Sequence, residues 1–382
     1  MKVATWLMAA LAIVLASTSA HAQMKVGVIS SATGPTAVVG IPQKNTAALL
    51  PKKIGDISIE YIVYDDASDP TQSVMNVKKL LSEAKIDALI GPSGSPNAVG
   101  IVQFMAESGT PMLAPVGTTS VVLPMDDKKR WVFKTTQNDN LISDALVAHM
   151  VKNGVKTIGF IGFNDPYGEN WWTVFSAQAP GVGIKIVANE RFQRSDASVT
   201  GQVAKLMAAK PDAVLVAAAG GPTVLPQITL VEAGYKGRIY QTHGAASPDF
   251  LRLGGAKVEG TVLAASLMLV LPEIADSNPS KAVALEYIGA YEKMYGNKPA
   301  TFGANVYDAG LLLQQAVPEA LKKGKPGTPE FRAALRDALE QIREFVGTQG
   351  VYNMTPQDHS GFDARGRVMM TLKDGVWRLV AD

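Results

Sequence analysis

The chain alternates short apolar runs typical of buried β-strands with longer runs that have a helical pattern. Residues 24–30 and 57–64 are predicted strands, and the helices predicted after them cover residues 35–51 and 70–83. Strands that are apolar throughout are buried on both faces, so helices must cover both sides of a mostly parallel sheet. The sequence therefore predicts an α/β protein.

A second series of the same kind follows the first. Its predicted strands cover residues 157–163, 184–192, 213–218, 238–242 and 261–266, with helical patterns between most of them. The two series join at the polar stretch 135–140. A chain of 382 residues is long enough for two domains at about 150 residues each. Two α/β lobes are therefore predicted.

The tail of the chain departs from this alternation. Residues 279–295, 302–322 and 329–343 are predicted to form three helices with no strand between them. Helices without a sheet of their own must cover another sheet, so we expect the chain to return to the first lobe.

The N-terminus has the pattern of a secretory signal peptide. Lys2 precedes an apolar stretch, residues 6–15, which is too short to span a bilayer, and small residues follow at Ala20 and Ala22. We expect cleavage after Ala22, so residues 1–22 are the predicted signal peptide. The alternative is a buried N-terminal helix.

Charge and cysteine content exclude several classes of partner. Without residues 1–22 the chain carries 35 basic and 34 acidic side chains, because Lys2 is the one charged residue of the signal. This balance gives no electrostatic reason to expect nucleic acid or an anionic membrane surface as partner. Without cysteine, the chain can form neither a disulfide nor a lipid-modified N-terminal cysteine.

Two apolar runs end in loops of glycine and small hydroxyl residues. Residues 86–90 lead into Gly91–Ser95, and residues 111–114 lead into Pro115–Ser120. A strand that ends just before a helix leaves backbone N–H groups unpaired, and both these groups and the helix dipole favour a small anion. Two such loops on neighbouring strands predict a carboxylate-binding crevice.

The sequence contains little that indicates catalysis. The three histidines beyond the predicted signal peptide (His149, His243 and His359) are scattered and never have metal-ligand spacing. The Gly91–Ser95 loop is similar to a nucleophile elbow but has Ser95 where the last glycine belongs. No feature of the sequence indicates which residue would act as the general base for a serine nucleophile. We predict a binding protein without metal or cofactor; the alternative is a hydrolase that uses Ser93 or Ser95.

Several segments together resemble the periplasmic leucine/isoleucine/valine-binding proteins of ABC importers. They are Gly34-Pro35, residues 64–70, the loop at Ser93–Ser95, residues 114–118 and residues 164–169. The likeness runs in order from Met24 to near the C-terminus. Each segment alone is weak, but the combination is specific to that family.

The resemblance implies two Rossmann-like lobes joined by a three-crossing hinge, which close on ligand in the cleft between them. The crossings are expected near Asn138, Ala264 and Gly350. Lobe 1 is then residues 24–138 plus 265–349, and lobe 2 is residues 139–264 plus 350–382.

The implied function is solute capture in the periplasm. The protein is expected to be a monomer that binds a small carboxylate and delivers it to an inner-membrane ABC permease. The alternative is a ligand sensor that presents its closed form to a membrane receptor.

The resemblance also assigns roles to individual residues. Ser95 and Thr118 match positions whose hydroxyls and amides hold a ligand carboxylate, and Val116 contributes backbone. Tyr167 matches an aromatic residue that closes over the ligand from the second lobe. Phe302 matches an aromatic residue that packs on the ligand side chain. The alternatives are ordinary loop and helix-capping roles, and core packing for Phe302.

Two further positions depart from the family pattern. Where amino-acid binders use a tyrosine and a carboxylate to hold the ligand ammonium, this chain has Ala219 or Gly220 and His243. Because a buried ammonium without an acidic partner is costly, we expect a carboxylate that lacks the amino group. The hypothesis is an aromatic acid of the benzoate or phenylpropanoid type. The alternatives are an amino-acid ligand and a His243 that is only a satisfied polar residue.

Overall fold

A computed structural model describes residues 23–380 of the chain. The predicted signal peptide, residues 1–22, lies outside the described residues. The first stretch forms β1 (Gln23–Ser30), α1 (Ala37–Ala47), β2 (Lys53–Ile54), β3 (Ile57–Asp65), α2 (Pro70–Lys79), β4 (Ala88–Ile90), α3 (Ser95–Ser108), β5 (Met112–Ala114), β6 (Val132–Lys134) and α4 (Asp139–Lys152).

The chain continues through β7 (Thr157–Phe163), α5 (Pro166–Gln178), β8 (Lys185–Phe192), α6 (Thr200–Ala209), β9 (Ala213–Ala217), α7 (Val224–Glu232), β10 (Arg238–Gln241), α8 (Pro248–Gly254), β11 (Val262–Ala265) and α9 (Pro279–Tyr295). It ends with α10 (Thr301–Leu321), α11 (Pro329–Leu339), β12 (Phe345–Val346), β13 (Val351–Tyr352), β14 (Val368–Lys373) and β15 (Val376–Leu379). Within residues 23–380, no helix is long and apolar enough to cross a membrane.

The first sheet has the strand order β2-β3-β1-β4-β5-β6 and is parallel except for the short β2. The order reverses at β1, which lies between β3 and β4. In open α/β sheets, ligands bind beyond the carboxyl ends of the strands at such a reversal. The loops after β1, β4 and β5 therefore lie at the position where a ligand is expected.

The second sheet has the order β15-β14-β11-β10-β9-β7-β8. Its five strands from β7 to β11 are parallel, and the C-terminal hairpin of β14 and β15 adds to its edge antiparallel. The chain thus has an α/β fold with two lobes built on parallel sheets, and we number the lobes by their sheets.

Two of the three tail helices, α10 and α11, return to the first lobe as predicted, whereas Tyr287 of α9 lies in an apolar cluster with Leu263 of β11 and Met370 of β14. Leu313 of α10 and Leu335 of α11 are buried in one apolar cluster with Met24 of β1 and Phe133 of β6. The chain passes between the sheets after β6, after β11 and between α11 and β14. The exact lobe boundaries given above stay a prediction.

Strand β6 and helix α4, on either side of the first crossing, were not predicted from the sequence. The β6 strand has only three residues and follows the charged run 126–130, so neither its length nor its flanks are typical of a strand. Its last residue, Lys134, is fully buried. The polar join predicted at residues 135–140 is shorter in the structure and covers 135–138, because α4 already begins at Asp139.

Phe133 provides a test of how the first lobe is held together. Its ring is fully buried and stacks on the ring of His359 with centroids 4.1 Å apart. We expect Phe133→Ala to lower the free energy of unfolding by about 3–5 kcal/mol, because it leaves a cavity in the core. Urea denaturation measures this. The control Val151→Ala, at a side chain 48% exposed, should change it by less than about 0.5 kcal/mol. Equal stabilities of the two variants would contradict the packing described.

Candidate ligand-binding cleft

The two lobes meet around a narrow cavity of about 40 Å³. It lies where the carboxyl-end loops of both sheets face each other. Its lining residues are Thr36, Val39, Ser93, Gly94, Ser95, Pro115, Val116, Gly117, Thr136, Tyr167, Arg194, Ala219, His243, Gly244, Phe302 and Asn305.

The loop between β4 and α3 forms one wall of the cavity. Gly94 precedes the first turn of α3 in an extended conformation, and no side chain caps the N-terminus of the helix. The Ser93 hydroxyl oxygen accepts a hydrogen bond from Ser31 N at 3.0 Å, which holds this loop against the end of β1. Pro96 has no N–H and Ala98 N donates to the Gly94 carbonyl oxygen, so the Ser95 and Asn97 N–H groups are the ones that α3 leaves to another acceptor. The helix dipole favours a negative charge there.

The loop after β5 contributes Val116 and Gly117 to the lining, whereas Thr118 does not line the cavity. The Thr118 hydroxyl lies 2.8 Å from the Ser120 hydroxyl and donates to the carbonyl oxygen of Pro166 at 3.4 Å. Pro166 belongs to the second lobe, so this bond joins the lobes. A ligand contact of Thr118 stays a prediction.

Two aromatic side chains of the second lobe pack directly on the first lobe at Gly117. A Cβ atom at position 117 would lie 2.7 Å from His243 Nε2 and 2.9 Å from Tyr167 Cε2. The Tyr167 hydroxyl lies 2.8 Å from the hydroxyl of Thr242, which in turn donates to the Ala218 carbonyl oxygen. The lobes are thus in contact, and glycine at position 117 is what permits it.

The protonation of His243 follows from its burial. Removal from water, with a smaller contribution from the nearby Lys134 ammonium, lowers the pKa of His243 to about 3. His243 Nε2 lies 3.8 Å from Asp139 Oδ1, too far for a hydrogen bond, while burial raises the pKa of the Asp139 carboxyl. His243 therefore presents a neutral ring to the cavity at physiological pH.

Arg194 lines the cavity and was missed by the sequence analysis. It follows β8, and its Nε donates to Asp165 Oδ2 at 2.6 Å while its guanidinium lies 4.3 Å from the centroid of the Phe163 ring. Among the lining residues within 23–380 it is the one that is charged at neutral pH, and none is an aspartate or glutamate. Arg194 lies two residues after the end of β8, and this position at the carboxyl end of a strand could have identified it as a candidate site residue.

The opposite wall comes from the start of α10 and from the loop after β9. Phe302 and Asn305 lie one turn apart on α10, and both line the cavity, as does Ala219. Gly220 does not; the atoms nearest a Cβ there belong to Val39, Pro35 and Val38 of the first lobe. Six of the eight predicted site residues are thus brought together: Ser95, Val116, Tyr167, Ala219, His243 and Phe302.

Comparison with known proteins identifies the architecture. The profile of the family described as "Periplasmic binding protein" matches residues 23–375. The chain belongs to this family. Its curated relatives include Leu/Ile/Val-binding protein homolog 3 of Brucella melitensis, which is 25% identical over 87% of this chain and 88% of the relative.

Solved structures agree with this assignment. An extracellular ligand-binding receptor from Rhodopseudomonas palustris HaA2 is 43% identical, with a TM-score of 0.92 over 94% of this chain and all of that one. The leucine binding protein LivK of Thermotoga maritima shares the fold, with a TM-score of 0.80 at 21% identity over 94% of this chain and 98% of that one.

The periplasmic binding protein described here is therefore of the branched-chain amino acid type, the solute-binding component of an ABC importer and not an enzyme. Its relatives are periplasmic proteins. The cavity between the lobes is accordingly a candidate for binding rather than for chemistry.

The burial of His243 predicts a specific dependence of stability on pH. The folded protein keeps the ring neutral down to about pH 3, whereas the unfolded chain binds a proton below about pH 6.5. The unfolded state then binds more protons, so His243 lowers stability by about 1.4 kcal/mol for each pH unit below 6.5. We expect His243→Gln to lose stability less steeply than wild type between pH 6 and pH 4 in urea denaturation. Identical slopes would contradict a neutral, buried His243.

The contact at Gly117 predicts the effect of a single methyl group. Gly117→Ala places a Cβ against His243 and Tyr167, so the closed form must open slightly and ligand affinity should fall at least about tenfold. Calorimetric titration measures the affinity and small-angle X-ray scattering the closure. Gly100→Ala on α3 is the control, because a Cβ there has no neighbour within 4 Å. If both variants bind equally well, the contact does not govern closure.

Proposed function

We propose that this protein captures a small aromatic carboxylate, of the benzoate or phenylpropanoid type, and delivers it to an inner-membrane ABC permease. The observation that carries the proposal is the charge of the cavity lining. It offers Arg194, the neutral ring of His243 and hydroxyl and backbone donors, but no aspartate or glutamate among the lining residues of 23–380.

An α-amino acid presents an ammonium as well as a carboxylate. Burying an ammonium without an acidic partner costs several kcal/mol, which the contacts of a small ligand do not easily offset. Asp139 is a buried carboxyl close to Gly117 and His243, but it is not among the lining residues. A ligand with one negative charge and no positive charge fits this lining better.

The uncharged part of the lining favours a flat apolar group. Phe302 and Val39 supply apolar surface, and Ala219 and Gly244 are small residues of the lining. An aromatic ring packs on a phenylalanine face or edge and buries a large apolar area. The ring is proposed to lie at this end of the cavity, with its carboxylate at Ser95 and the start of α3.

Capture requires no covalent step. Ligand contacts from both lobes exist together only in the closed form, so binding shifts the population from open to closed. Ser95, Val116, Thr118, Tyr167 and Phe302 keep the roles that the resemblance gives them, as part of the proposal. The protein is proposed to act as a monomer in the periplasm after cleavage behind Ala22.

A second candidate is supported by the names of the relatives. The curated relatives are called Leu/Ile/Val-binding proteins, so a branched-chain amino acid is the competing ligand class. Asp139 Oδ1 is buried without a hydrogen-bond partner within residues 23–380, and a rearrangement that brought it into the cavity would supply the acidic partner an ammonium needs.

A thermal-shift screen decides between these ligand classes. The panel contains benzoate, 4-hydroxybenzoate, cinnamate and 4-hydroxycinnamate against leucine, isoleucine, valine and phenylalanine. A ligand at one hundred times its Kd should stabilise the folded protein by about 2.7 kcal/mol. We expect shifts with aromatic acids and none with the amino acids. Shifts with leucine or valine alone would overturn the aromatic-acid proposal.

A further inference from the structure

Two arginines at the end of β8 have nearly the same surroundings but face different spaces. Arg191 pairs with Glu169, with Nε 2.6 Å from Oε1, and its guanidinium lies 5.1 Å from the centroid of Phe160. Arg194 pairs with Asp165, also at 2.6 Å, and lies 4.3 Å from the centroid of Phe163. Only Arg194 of the two lines the cavity, and its side chain is 13% exposed.

The orientation of Arg194 leaves its outer nitrogens available. Asp165 accepts a hydrogen bond from Nε, while neither Nη atom has a hydrogen-bond partner within residues 23–380. Asp165 is itself fixed, because its other carboxylate oxygen accepts hydrogen bonds from Tyr167 N and Gly168 N at the start of α5. The ion pair and the Phe163 ring therefore hold the guanidinium in one orientation, with unpaired donors on the side away from Asp165.

The opposing wall is also a donor surface. The Ser93–Ser95 loop at the start of α3 belongs to the first lobe and lines the same cavity as Arg194. Helix α3 packs against α5 of the second lobe. The ion pair of Arg194 with Asp165 connects the loop after β8 to the start of α5. A carboxylate has two oxygens and about four acceptor sites, so it can be shared by donors from both lobes.

We propose that Arg194 is the second-lobe partner of the ligand carboxylate, so that the anion itself joins the lobes and makes closure selective for acids. Arg194 donates from its outer nitrogens to the carboxylate whose other acceptor sites meet Ser95 and the N–H groups of α3. The proposal rests on the proposed function, since it requires an anionic ligand. A neutral ligand of the same shape leaves the guanidinium unpaired in the closed cleft and is rejected for that reason.

The test compares acids with their uncharged isosteres in full-length mature protein. Calorimetric titration of wild type, Arg194→Gln and Arg194→Lys uses benzoate and cinnamate, with benzamide and cinnamamide as matched neutral probes. We expect Arg194→Gln to weaken acid binding about 10- to 100-fold, the range for loss of a charge-assisted hydrogen bond, and to tighten amide binding, because the guanidinium that an amide leaves unpaired is gone. Arg194→Lys keeps the positive charge but not the planar geometry that lets a guanidinium donate two parallel hydrogen bonds. Its affinity for the acids should therefore lie between those of wild type and Arg194→Gln.

Controls separate this role from a structural one. Arg191→Gln removes the same charge from an equivalent ion pair outside the cavity and should bind acids as wild type does. Arg194→Gln/Asp165→Asn removes both members of the inner pair without leaving an unpaired carboxylate, and should show the same loss. Circular dichroism melting reports whether each variant is folded. Small-angle scattering with benzoate should show closure for wild type and Arg191→Gln only.

The outcomes distinguish the two proposals. Equal acid affinities of wild type and a folded Arg194→Gln variant overturn the role of Arg194 and leave the aromatic-acid function standing. If wild type binds no aromatic acid but binds an amino acid of the screen, the proposed function fails. The same variants are then titrated with that amino acid and its amide. If Arg194→Gln binds the amino acid more weakly than wild type does, the role of Arg194 in carboxylate binding is supported. If the two affinities are equal, that role is overturned. If wild type binds no carboxylate of either class, both proposals are wrong.

Discussion

The buried ammonium of Lys134 is the interaction on which the arrangement of the cleft depends. Its Nζ donates to the carbonyl oxygens of Gly117 at 2.6 Å and Gln137 at 3.2 Å and to Asn138 Oδ1 at 2.7 Å. One side chain thus joins the end of the first sheet, the loop that faces the ligand and the start of the first crossing. Burial lowers the pKa of Lys134, while Asp139 and Asp358 oppose that change. Three acceptors supply what a fully buried ammonium requires.

The same group influences what the cavity can recognise. Lys134 is bonded to the Gly117 carbonyl oxygen, and its charge helps to keep His243 neutral. Among residues 23–380, those that line the cleft include no aspartate or glutamate. Selectivity in such a site is a difference between affinities, and part of it comes from what is absent. An ammonium buried in a site without an acidic partner is costly even where there is no steric obstacle. In this cleft the second lobe contributes Arg194, a positive charge, to the lining.

Much of this architecture could be predicted from the sequence because it is periodic. The strands β1, β3, β7 and β9 are apolar runs with clear flanks, and the strand-end loops with Ser93–Ser95 are chemically distinctive. The β6 strand could not be predicted, since it is three residues long and ends in a lysine whose burial depends on tertiary acceptors. Arg194 was missed for a related reason. A single arginine in a polar loop is usually solvated, and only the three-dimensional structure shows that Phe163 and Asp165 fix this one in the cavity lining.

The order in which the chain builds its first lobe has a consequence for folding. Met24 of β1 and Tyr352 of β13 lie in one apolar cluster with α10 and α11, so contacts that complete this core join opposite ends of the sequence. The second lobe, in contrast, is built mainly from one continuous stretch, β7 to β11. Long-range contacts of this kind form late, because loop closure must precede them. During synthesis the N-terminal half therefore emerges without α10 and α11, which complete the cover of its sheet, and this lobe can close its core only after nearly the whole polypeptide has been made.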